Sequence, residues 1–376
     1  MTRLAAFLLL SCMVCAGARA TEIRLAGQPE IYLSHTEMTC PSARGVTGID
    51  VADMPVTAFR RKDATVVVMA GNQQNFVLEG RSVDTARRVS CDSLVVPAND
   101  PDPEDFNARR WLFAIYAKSY DLVLGFVHNE YHGGDFFPDE CRKTTQYNFE
   151  CWYGATTLVT SSDGGFTFTT PAPPDNVLAS PPSRFETGKR RLGAFSPKIV
   201  ANPHDSLVYV MIDYLDVSRK LNIGQCLLRG SGTKLNDWKA WDGRSFALDM
   251  ESPYAVARGE DCKPVLPYLI SSLKYIPAID QFVALGNRRN TVIYSFSSDL
   301  TAWSRPQELM TIERIQEWKP GDEPARDYFS FLDPDSSSIN FDTLEKRPYL
   351  YFVQFGTDAK EFLRTRDVYR QRIEIK

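Results

Sequence analysis

Three ionisable side chains alternate in the segment His128–His132, which has the sequence HNEYH. Residues two apart in an extended strand point to the same side, so His128, Glu130 and His132 are expected to share one face. A carboxyl group in such a cluster can act as a proton donor if burial or a neighbouring charge keeps it protonated near neutral pH. We therefore predict that Glu130 is a catalytic acid. Pairing of Glu130 with the histidines, only to stiffen a loop, is the alternative.

The same three side chains could also bind a metal ion. A histidine pair four residues apart indicates zinc mainly when it lies on a helix, because the two rings then share a helical face. An extended segment spreads the side chains further apart, so we predict no resident metal and no cofactor. A calcium ion held by carboxylates and carbonyl oxygens near a central axis stays open as an alternative.

Two cysteines, Cys141 and Cys151, lie in the segment that follows His132. Six cysteines lie beyond residue 20, and an even number in an exported chain implies disulfides. Cys141–Cys151 would close a local loop, and Cys40–Cys91 and Cys226–Cys262 follow by elimination and proximity. Beyond residue 20 the sequence has no CxxC motif, which argues against a zinc site. The long, cross-linked loop between His128 and Trp152 is where we expect function to lie.

The elements that must position these residues are strands. A similar strand end recurs five times, at intervals of 81, 69, 67 and 68 residues: GRSVD from Gly80, SSDGG from Ser161, GSGTKLNDW from Gly230, SSDLTAW from Ser297 and TRDVYR from Thr365. Fixed-period similarity is typical of repeat folds, and a repeat of this length suits a propeller blade of four strands. Two separate β-sandwiches would not explain the even spacing.

Each repeat begins with two apolar strands joined by a short turn. The second strand of each pair is almost continuously apolar, as expected for a strand that is buried on both faces. The predicted pairs are Val56–Phe59 with Thr65–Ala70, Trp111–Ala117 with Leu122–His128, Ser196–Ala201 with Leu207–Asp213, Leu269–Ile276 with Gln281–Gly286, and Tyr328–Asp333 with Tyr349–Phe355.

We therefore predict an all-β fold, a five-bladed β-propeller with four antiparallel strands per blade. One domain would cover residues 21–376, with blades at about 53–92, 107–170, 193–242, 264–310 and 326–376. The proline-rich stretch 171–182 would then be a loop between blades rather than a linker. Asp163 and Asp299 would build turns, since short polar side chains commonly bond nearby backbone N–H groups.

The motifs resemble those of known propellers. The sequence SSDGGFTF, from Ser161 to Phe168, resembles the Asp-box of sialidase-like propellers, and SSDLTAW from Ser297 resembles a turn of five-bladed glycoside hydrolases of families 43 and 32. The order of HNEYHG, a paired-cysteine loop, CWY and a DGG turn is similar to that of exported bacterial proteins in the same superfamily. The resemblance implies a glycosidase-type propeller.

The family-43 pattern implies three carboxylates: an Asp base opening blade one, an Asp opening blade two and a Glu acid opening blade three. Asp53 stands where the base belongs. The second unit opens without a carboxylate, and the third opens with Gly193–Pro197, where no Glu occurs. Nor does the chain show the arginine triad of sialidases. The resemblance therefore carries over the fold and one catalytic position, and it does not supply the acid.

Two sets of loops should meet on one face of a propeller. They are the entries to the innermost strands and the loops between second and third strands, and they bring together residues distant in sequence. Glycoside hydrolysis needs one carboxyl to protonate the leaving oxygen and another to activate water or attack. We assign the acid to Glu130 and the base to Asp53 or Asp213. The predicted substrate contacts are His128, His132, Arg110, Trp152, Tyr153, Lys263, Asp261, Arg288 and Arg326; Trp152 and Tyr153 would either stack on a sugar ring or pack the blade.

The first twenty residues have the pattern of a secretory signal. Arg3 precedes an apolar run, Leu4–Leu10, and an A-x-A site ends at Ala20. The run is too short to span a bilayer. We expect a secreted or periplasmic protein without a transmembrane segment; lipid attachment at Cys12 is the alternative.

The chain carries a net charge of −4 and no basic tract, which excludes polyphosphate binding and makes nucleic acid an unexpected partner. We expect a monomer with a carbohydrate partner. Two functions remain open: an exported glycoside hydrolase, or a non-catalytic propeller that binds glycan or protein and has lost the acid. The missing Glu of the third unit favours the second function, and the polar cluster around Glu130 favours the first.

Overall fold

The computed structural model describes residues 21–40, 50–141, 143–145, 148–149, 151–189, 191–217, 221–257, 261–358 and 360–376. The predicted signal segment 1–20, including Cys12, lies outside these residues. Within them the fold is nearly all β. The helical elements are one short α-helix, α1 (His35–Met38), and the 3₁₀ turns Val83–Thr85, Pro103–Asp105, Gly133–Asp135 and Pro277–Ile279. No helix in the described ranges is both long and apolar enough to cross a membrane.

The strands are β1 (Ile23–Leu33), β2 (Thr57–Arg60), β3 (Val66–Met69), β4 (Leu78–Gly80), β5 (Arg109–Ser119), β6 (Leu122–His132), β7 (Lys143–Thr145), β8 (Asn148–Phe149), β9 (Trp152–Ser161), β10 (Val177–Ala179), β11 (Leu192–Ala201), β12 (Val208–Asp216), β13 (Leu221–Gly230), β14 (Lys239–Trp241), β15 (Phe246–Leu248), β16 (Ile270–Ile276), β17 (Gln281–Arg288), β18 (Thr291–Ser297), β19 (Gln307–Thr311), β20 (Arg326–Leu332), β21 (Tyr349–Phe355) and β22 (Arg366–Ile375).

Antiparallel pairing joins these strands into successive groups, apart from β7 and β8, which pair only with each other. The first group is β2-β3-β4, the second β5-β6-β9-β10, the third β11 to β15, the fourth β16 to β19 and the fifth β20-β21-β22-β1. The second and third groups form one sheet through a short parallel contact, in which Leu192 and Gly193 of β11 pair with Tyr153 and Gly154 of β9. The strand pairs expected from the apolar runs lie at the start of these groups. The first group has three strands where the repeat predicted four.

The outer strand of the fifth group comes from the other end of the chain. Strand β1 pairs antiparallel with β22, from Ile23 opposite Ile375 to Leu33 opposite Val368. The side chains of Ile23 and Leu33 are buried. The first predicted blade begins at residue 53, so the sequence repeats did not predict strand β1. Its pairing joins the beginning of the described chain to its end.

Each group packs its faces against the next group. Separate buried clusters combine the first and second groups, the second and third, the third and fourth, the fourth and fifth, and the fifth and first. The all-apolar strand β3 has both faces covered in this way, because Val66 and Val68 face the fifth group while Val67 and Met69 face the second. Burial on both faces explains why the inner strands lack the polar alternation of a half-exposed strand.

The first strands of the groups lie side by side around a common space. Strand β2 contacts β5 and β20, β11 contacts β5 and β16, and β16 contacts β20. They enclose a narrow cavity of about 40 Å³, whose polar lining includes Lys198, Lys274 and Asp342. The edge of the fold at which β2, β5, β11, β16 and β20 begin is called the strand-entry face below.

The turn after β9 is built by one carboxylate. Asp163 accepts hydrogen bonds from the backbone N–H groups of Phe166 and Thr167, at 3.0 and 3.1 Å, and from the Thr167 hydroxyl at 2.6 Å. Gly165 adopts φ +87°, and a Cβ there would lie 2.7 Å from the Phe59 ring. The Arg61 guanidinium of the first group donates to the Gly165 carbonyl oxygen. The turn therefore also connects the first and second groups.

Replacing Asp163 by alanine should lower the free energy of unfolding by about 1 kcal/mol at pH 7, the usual loss for a side chain that caps backbone N–H groups. These hydrogen bonds outweigh the effect of desolvation and lower the pKa of Asp163. The contribution is therefore present above the unfolded pKa, begins to be lost as pH falls below about 4, and is gone only below the lowered pKa of the folded state. Urea denaturation at pH 7 and pH 3 measures it, with the exposed Asp121→Ala as control. Equal losses for both variants at pH 7 would contradict the role of Asp163.

Candidate functional site

The histidine–glutamate cluster lies at the end of β6, on the strand-entry face. Glu130 pairs with Arg109 at the start of β5 and with Gly154 of β9. Strand alternation places His128, Glu130 and His132 on one side of β6, toward the third group. Alternation along an extended strand predicts that these three side chains share a face, and the structure brings them into contact.

Glu130 is held between the two imidazoles. Its Oε2 lies 2.6 Å from His132 Nε2 and its Oε1 lies 3.1 Å from His128 Nε2, and the glutamate side chain is only 16% exposed. Desolvation alone would raise the pKa of Glu130, but the hydrogen bonds and charges of His128 and His132 outweigh it and hold the pKa well below its usual range. A general acid must keep its proton near neutral pH. The two imidazoles therefore favour the carboxylate form of Glu130, which argues against the predicted role of this residue as the acid.

His128 connects the cluster to the third group. The Ser196 hydroxyl lies 3.3 Å from His128 Nδ1, so with Nε2–H facing Glu130 the hydroxyl donates to the other ring nitrogen. The rings of Trp111, Phe113 and Phe195 surround the imidazole, with centroids 5.2 to 5.4 Å away. Ser196 belongs to the strand start where the family-43 pattern has its acid. Here that position supplies a histidine partner.

Asp213 lies behind this cluster in a buried ion pair. Its Oδ1 accepts hydrogen bonds from Lys198 Nζ and from Gln225 Nε2, the latter at 2.7 Å, and the residue is 5% exposed. Burial raises the pKa of Asp213 and lowers that of Lys198, while each charge opposes the shift of the other. A carboxylate that activates water must reach the water, so the structure does not support Asp213 as the base.

Trp152 and Tyr153 do not form an exposed platform. Trp152 is 1% exposed, with the Arg191 guanidinium 4.3 Å from its ring and the Phe195 ring 4.9 Å away. Tyr153 is 3% exposed and donates its hydroxyl to the Ser183 carbonyl oxygen at 3.0 Å. Neither ring face is open to a sugar, so the packing alternative holds for both residues.

A polar cleft opens beside these two aromatic residues. Its volume is about 90 Å³, and it borders Cys151 of the Cys141–Cys151 disulfide. The structure also contains the disulfides Cys40–Cys91 and Cys226–Cys262. Part of the cross-linked loop lies outside the described residues. The charged and hydroxyl groups that line the cleft are Ser183, Arg184, Glu186, Lys189 and Asp216.

Asp53 lies in a second cluster on the strand-entry face. Its Oδ1 accepts hydrogen bonds from the Arg366 guanidinium and, at 2.9 Å, from the Tyr328 hydroxyl. Arg366 also donates to the Ala52 carbonyl oxygen at 3.1 Å. The Asp53 side chain is 26% exposed, which leaves it accessible to water. Asp53 and Glu130 therefore belong to separate clusters with no residue in common.

The remaining predicted contacts are dispersed. Arg110 points away from His128, is buried, and donates to the Thr170 hydroxyl at 3.0 Å; burial lowers its pKa to about 10. It cannot orient a substrate from there. Asp261 accepts a hydrogen bond from the Tyr214 hydroxyl, and the exposed Lys263 packs over Gly243 beside the outer strand β14. Arg326 turns toward β21, where it donates to Gln354, and Arg288 is exposed at the end of β17.

Two residues of the Asp53 cluster were not predicted as site residues. Tyr328 was assigned to a strand because it begins an apolar run. Arg366 was assigned to a turn because it lies in the recurring strand end TRDVYR. Arg366 is 313 residues from Asp53, a separation that no local pattern bridges. The run Arg326-Asp327-Tyr328 before an apolar strand was the available signal.

No group of three or more His, Cys, Asp or Glu side chains in the described parts of the chain is arranged to hold a metal ion. In the histidine–glutamate cluster both Nε2 atoms face the carboxylate. His132 Nε2 is hydrogen-bonded to Glu130 Oε2, and His128 Nε2 lies 3.1 Å from Oε1, an ion-pair distance.

Replacing Glu130 by glutamine should lower the free energy of unfolding by about 1–3 kcal/mol at pH 7, because the amide NH₂ would face an imidazole N–H. The pKa of Glu130 is lowered in the folded state, so its stabilisation is present above the unfolded pKa and is lost on acidification. The difference between variant and wild type should shrink below about pH 4. Denaturant unfolding from pH 7 to pH 3 measures this, with the exposed Glu140→Gln as control. A pH-independent difference would contradict the assignment of a carboxylate.

Comparisons with known proteins show the fold. No protein-family model matches the chain, and no curated protein sequence matches it. Zg3597, a family 117 glycoside hydrolase from the marine bacterium Zobellia galactanivorans, has a similar structure: 8% identity, a TM-score of 0.52, and coverage of 94% of this chain and 90% of that one. An endo-1,5-α-L-arabinanase from Thermotoga petrophila is 9% identical with a TM-score of 0.50, over 87% of this chain and 72% of that one. The chain thus has the fold of β-propeller glycosidases.

Proposed function

We propose that the protein is an exported glycan-processing hydrolase that acts through carboxylates on its strand-entry face. The observation that carries this proposal is Asp53. It is a partly exposed carboxylate at the entry of the first strand group, fixed by Arg366 and Tyr328 from the last group. Loops and strand entries on a rigid scaffold are where catalytic groups are usually placed.

The scaffold in this proposal is a propeller of five blades, one for each strand group. The order of packing supports it, since each group packs on the next and the fifth packs on the first. The pairing of β1 with β22 would complete the last blade and close the ring. A closed ring would hold carboxylates from different groups in fixed positions around one axis, as glycoside hydrolysis requires.

Asp53 is the general base or nucleophile in this account, and the substrate is a carbohydrate. Its orientation is fixed by two donors, and catalysis benefits when a reacting group is held in place before the substrate arrives. The two imidazoles favour the carboxylate form of Glu130, so in this proposal Glu130 holds His128 and His132 beneath the surface. The polar cleft at Cys151, with hydroxyl, carboxylate and cationic groups, is suited to bind sugar hydroxyls.

Export is part of the same proposal. Three disulfides in the structure are consistent with an oxidising compartment, either extracellular or periplasmic. The proposed signal segment 1–20 would be removed on the way there. We further propose that the protein acts as a monomer.

A non-catalytic glycan-binding propeller is the second candidate. The start of the third group favours it, because Ser196 occupies the region where an acid would stand and Lys198 neutralises Asp213. In that case the strand-entry face would bind glycan without cleaving it.

The test is a screen of the purified mature protein on polysaccharides, oligosaccharides and aryl glycosides, with products separated by chromatography. The expected result is hydrolysis of at least one glycan class by wild type. Binding of a glycan to an array without release of any product would overturn the hydrolase and support the binding protein.

A further inference from the structure

One tyrosine joins two carboxyl groups on the strand-entry face. The backbone N–H of Tyr328 donates to Asp327 Oδ1 at 2.7 Å, and its hydroxyl donates to Asp53 Oδ1 at 2.9 Å. Asp327 stands at the start of the fifth group and Asp53 before the first. The tyrosine therefore sets the position of one carboxyl relative to the other.

The backbone of Tyr328 is strained. Its φ is +54°, in the left-handed region that an aromatic side chain rarely adopts. Such conformations cost of order 1–3 kcal/mol and persist where the surrounding structure enforces them, often at functional sites. This conformation accompanies the irregular pairing between Asp327 and Ser330, where β20 departs from regular register with β21.

The two carboxyl groups lie in different environments. Asp53 is paired with the Arg366 guanidinium, whereas no ion pair to Asp327 occurs among the described residues. Burial raises the pKa of Asp327, and the negative charge of Asp53 raises it further, while the Tyr328 N–H and the charges of Arg314 and Arg366 oppose the rise. In enzymes that use two carboxyl groups as acid and base, the surroundings usually keep one group protonated and the other ionised.

We propose that Asp327 is the proton donor and Asp53 the base of glycoside cleavage, with Tyr328 as the positioning residue between them. The inference rests on the proposed hydrolase function and supplies the acid that function requires. The imidazole partners of Glu130 favour its carboxylate form, and the start of the third group, residues 192–197, contains no Asp or Glu.

The reaction balances with these two groups and one water. Asp327 gives its proton to the glycosidic oxygen as the bond from that oxygen to the anomeric carbon breaks. Asp53 takes a proton from the water while the water oxygen forms a bond to the anomeric carbon. The products are two hydroxyl-ended sugars, and the solvent returns the proton from Asp53 to Asp327.

The experiment compares Asp327→Asn with wild type on two substrates of one specificity: the natural glycan found by the screen, and its 2,4-dinitrophenyl glycoside. The activated phenol leaves without protonation, so loss of the acid should matter only for the natural bond. We expect kcat/KM to fall about 10²–10⁴-fold on the glycan, and less than about tenfold on the activated substrate. The basic limb of the pH–rate profile should disappear. Glu323→Gln, an exposed carboxyl nearby, should match wild type in both assays.

Tyr328→Phe provides a second variant that keeps the N–H bond to Asp327 and removes the hydroxyl bond to Asp53. It should shift the acid limb of the pH–rate profile and leave the leaving-group dependence unchanged. If wild type cleaves a glycan and folded Asp327→Asn cleaves it equally well, or loses both substrates to the same extent, the acid assignment is overturned while the hydrolase stands. If wild type cleaves nothing in the screen, the hydrolase itself fails.

Discussion

Asp53→Asn is expected to reduce hydrolysis about 10²–10⁴-fold in kcat/KM, the contribution of a positioned general base. Asparagine is the sharpest replacement, because its amide oxygen can still accept from Arg366 and Tyr328 while the amide cannot take a proton. The fold should therefore survive, and activity should be lost on the natural glycan and on the activated aryl glycoside alike. That pattern distinguishes a base from an acid.

The measurement is steady-state kinetics on both substrates, together with thermal unfolding of each variant. Asp121→Asn, an exposed aspartate away from the strand-entry face, is the matched control. An Asp53→Asn protein that is folded and retains more than about a tenth of wild-type kcat/KM would exclude Asp53 as the base.

Lys198→Met should cause the largest loss of stability, about 3–5 kcal/mol, because it leaves Asp213 as an uncompensated buried charge. Both side chains are almost fully buried, at 5% and 7% exposure. Removing both charges should cost much less, since a buried ion pair is often replaced by apolar groups of similar size with little loss. The double variant Lys198→Met/Asp213→Leu should therefore recover most of the stability, and Gln225 keeps a partner in the Tyr268 carbonyl oxygen.

Urea denaturation of wild type, both single variants and the double variant forms a double-mutant cycle. A coupling energy near zero would show that the pair is not the buried contact described above. The double variant also distinguishes a structural role of Asp213 from a catalytic one. If Asp213 is not catalytic, this variant should retain the hydrolytic activity of wild type per folded molecule.

The strands were predictable because a strand that is buried on both faces appears in the sequence as a continuous run of apolar residues. The run Val66–Met69 is apolar without interruption, Tyr349–Phe355 contains one polar residue, Gln354, and both runs form inner strands. The turn at Asp163 was also predictable, because its hydrogen bonds connect residues within four positions. Such features depend on neighbours in the chain.

The features that escaped prediction depend on residues distant in the chain. Strand β1 carries few continuous apolar residues, and only its pairing with β22 identifies its place. The low pKa of Glu130 follows from the distances to two imidazoles, and HNEYH alone is equally compatible with an acid. The role of Trp152 could not be predicted either, since a large aromatic residue suits packing and sugar binding equally. Its burial in the structure shows that it packs the blade.

The most direct test is a crystal structure of Asp53→Asn with the oligosaccharide that wild type cleaves. We expect the glycan to lie across the strand-entry face, with its scissile oxygen within hydrogen-bonding distance of Asp327. The side-chain groups at positions 53 and 327 should be about 5–10 Å apart, the range found for hydrolytic carboxyl pairs. A glycan bound on another face, or a separation well outside that range, would contradict this proposal.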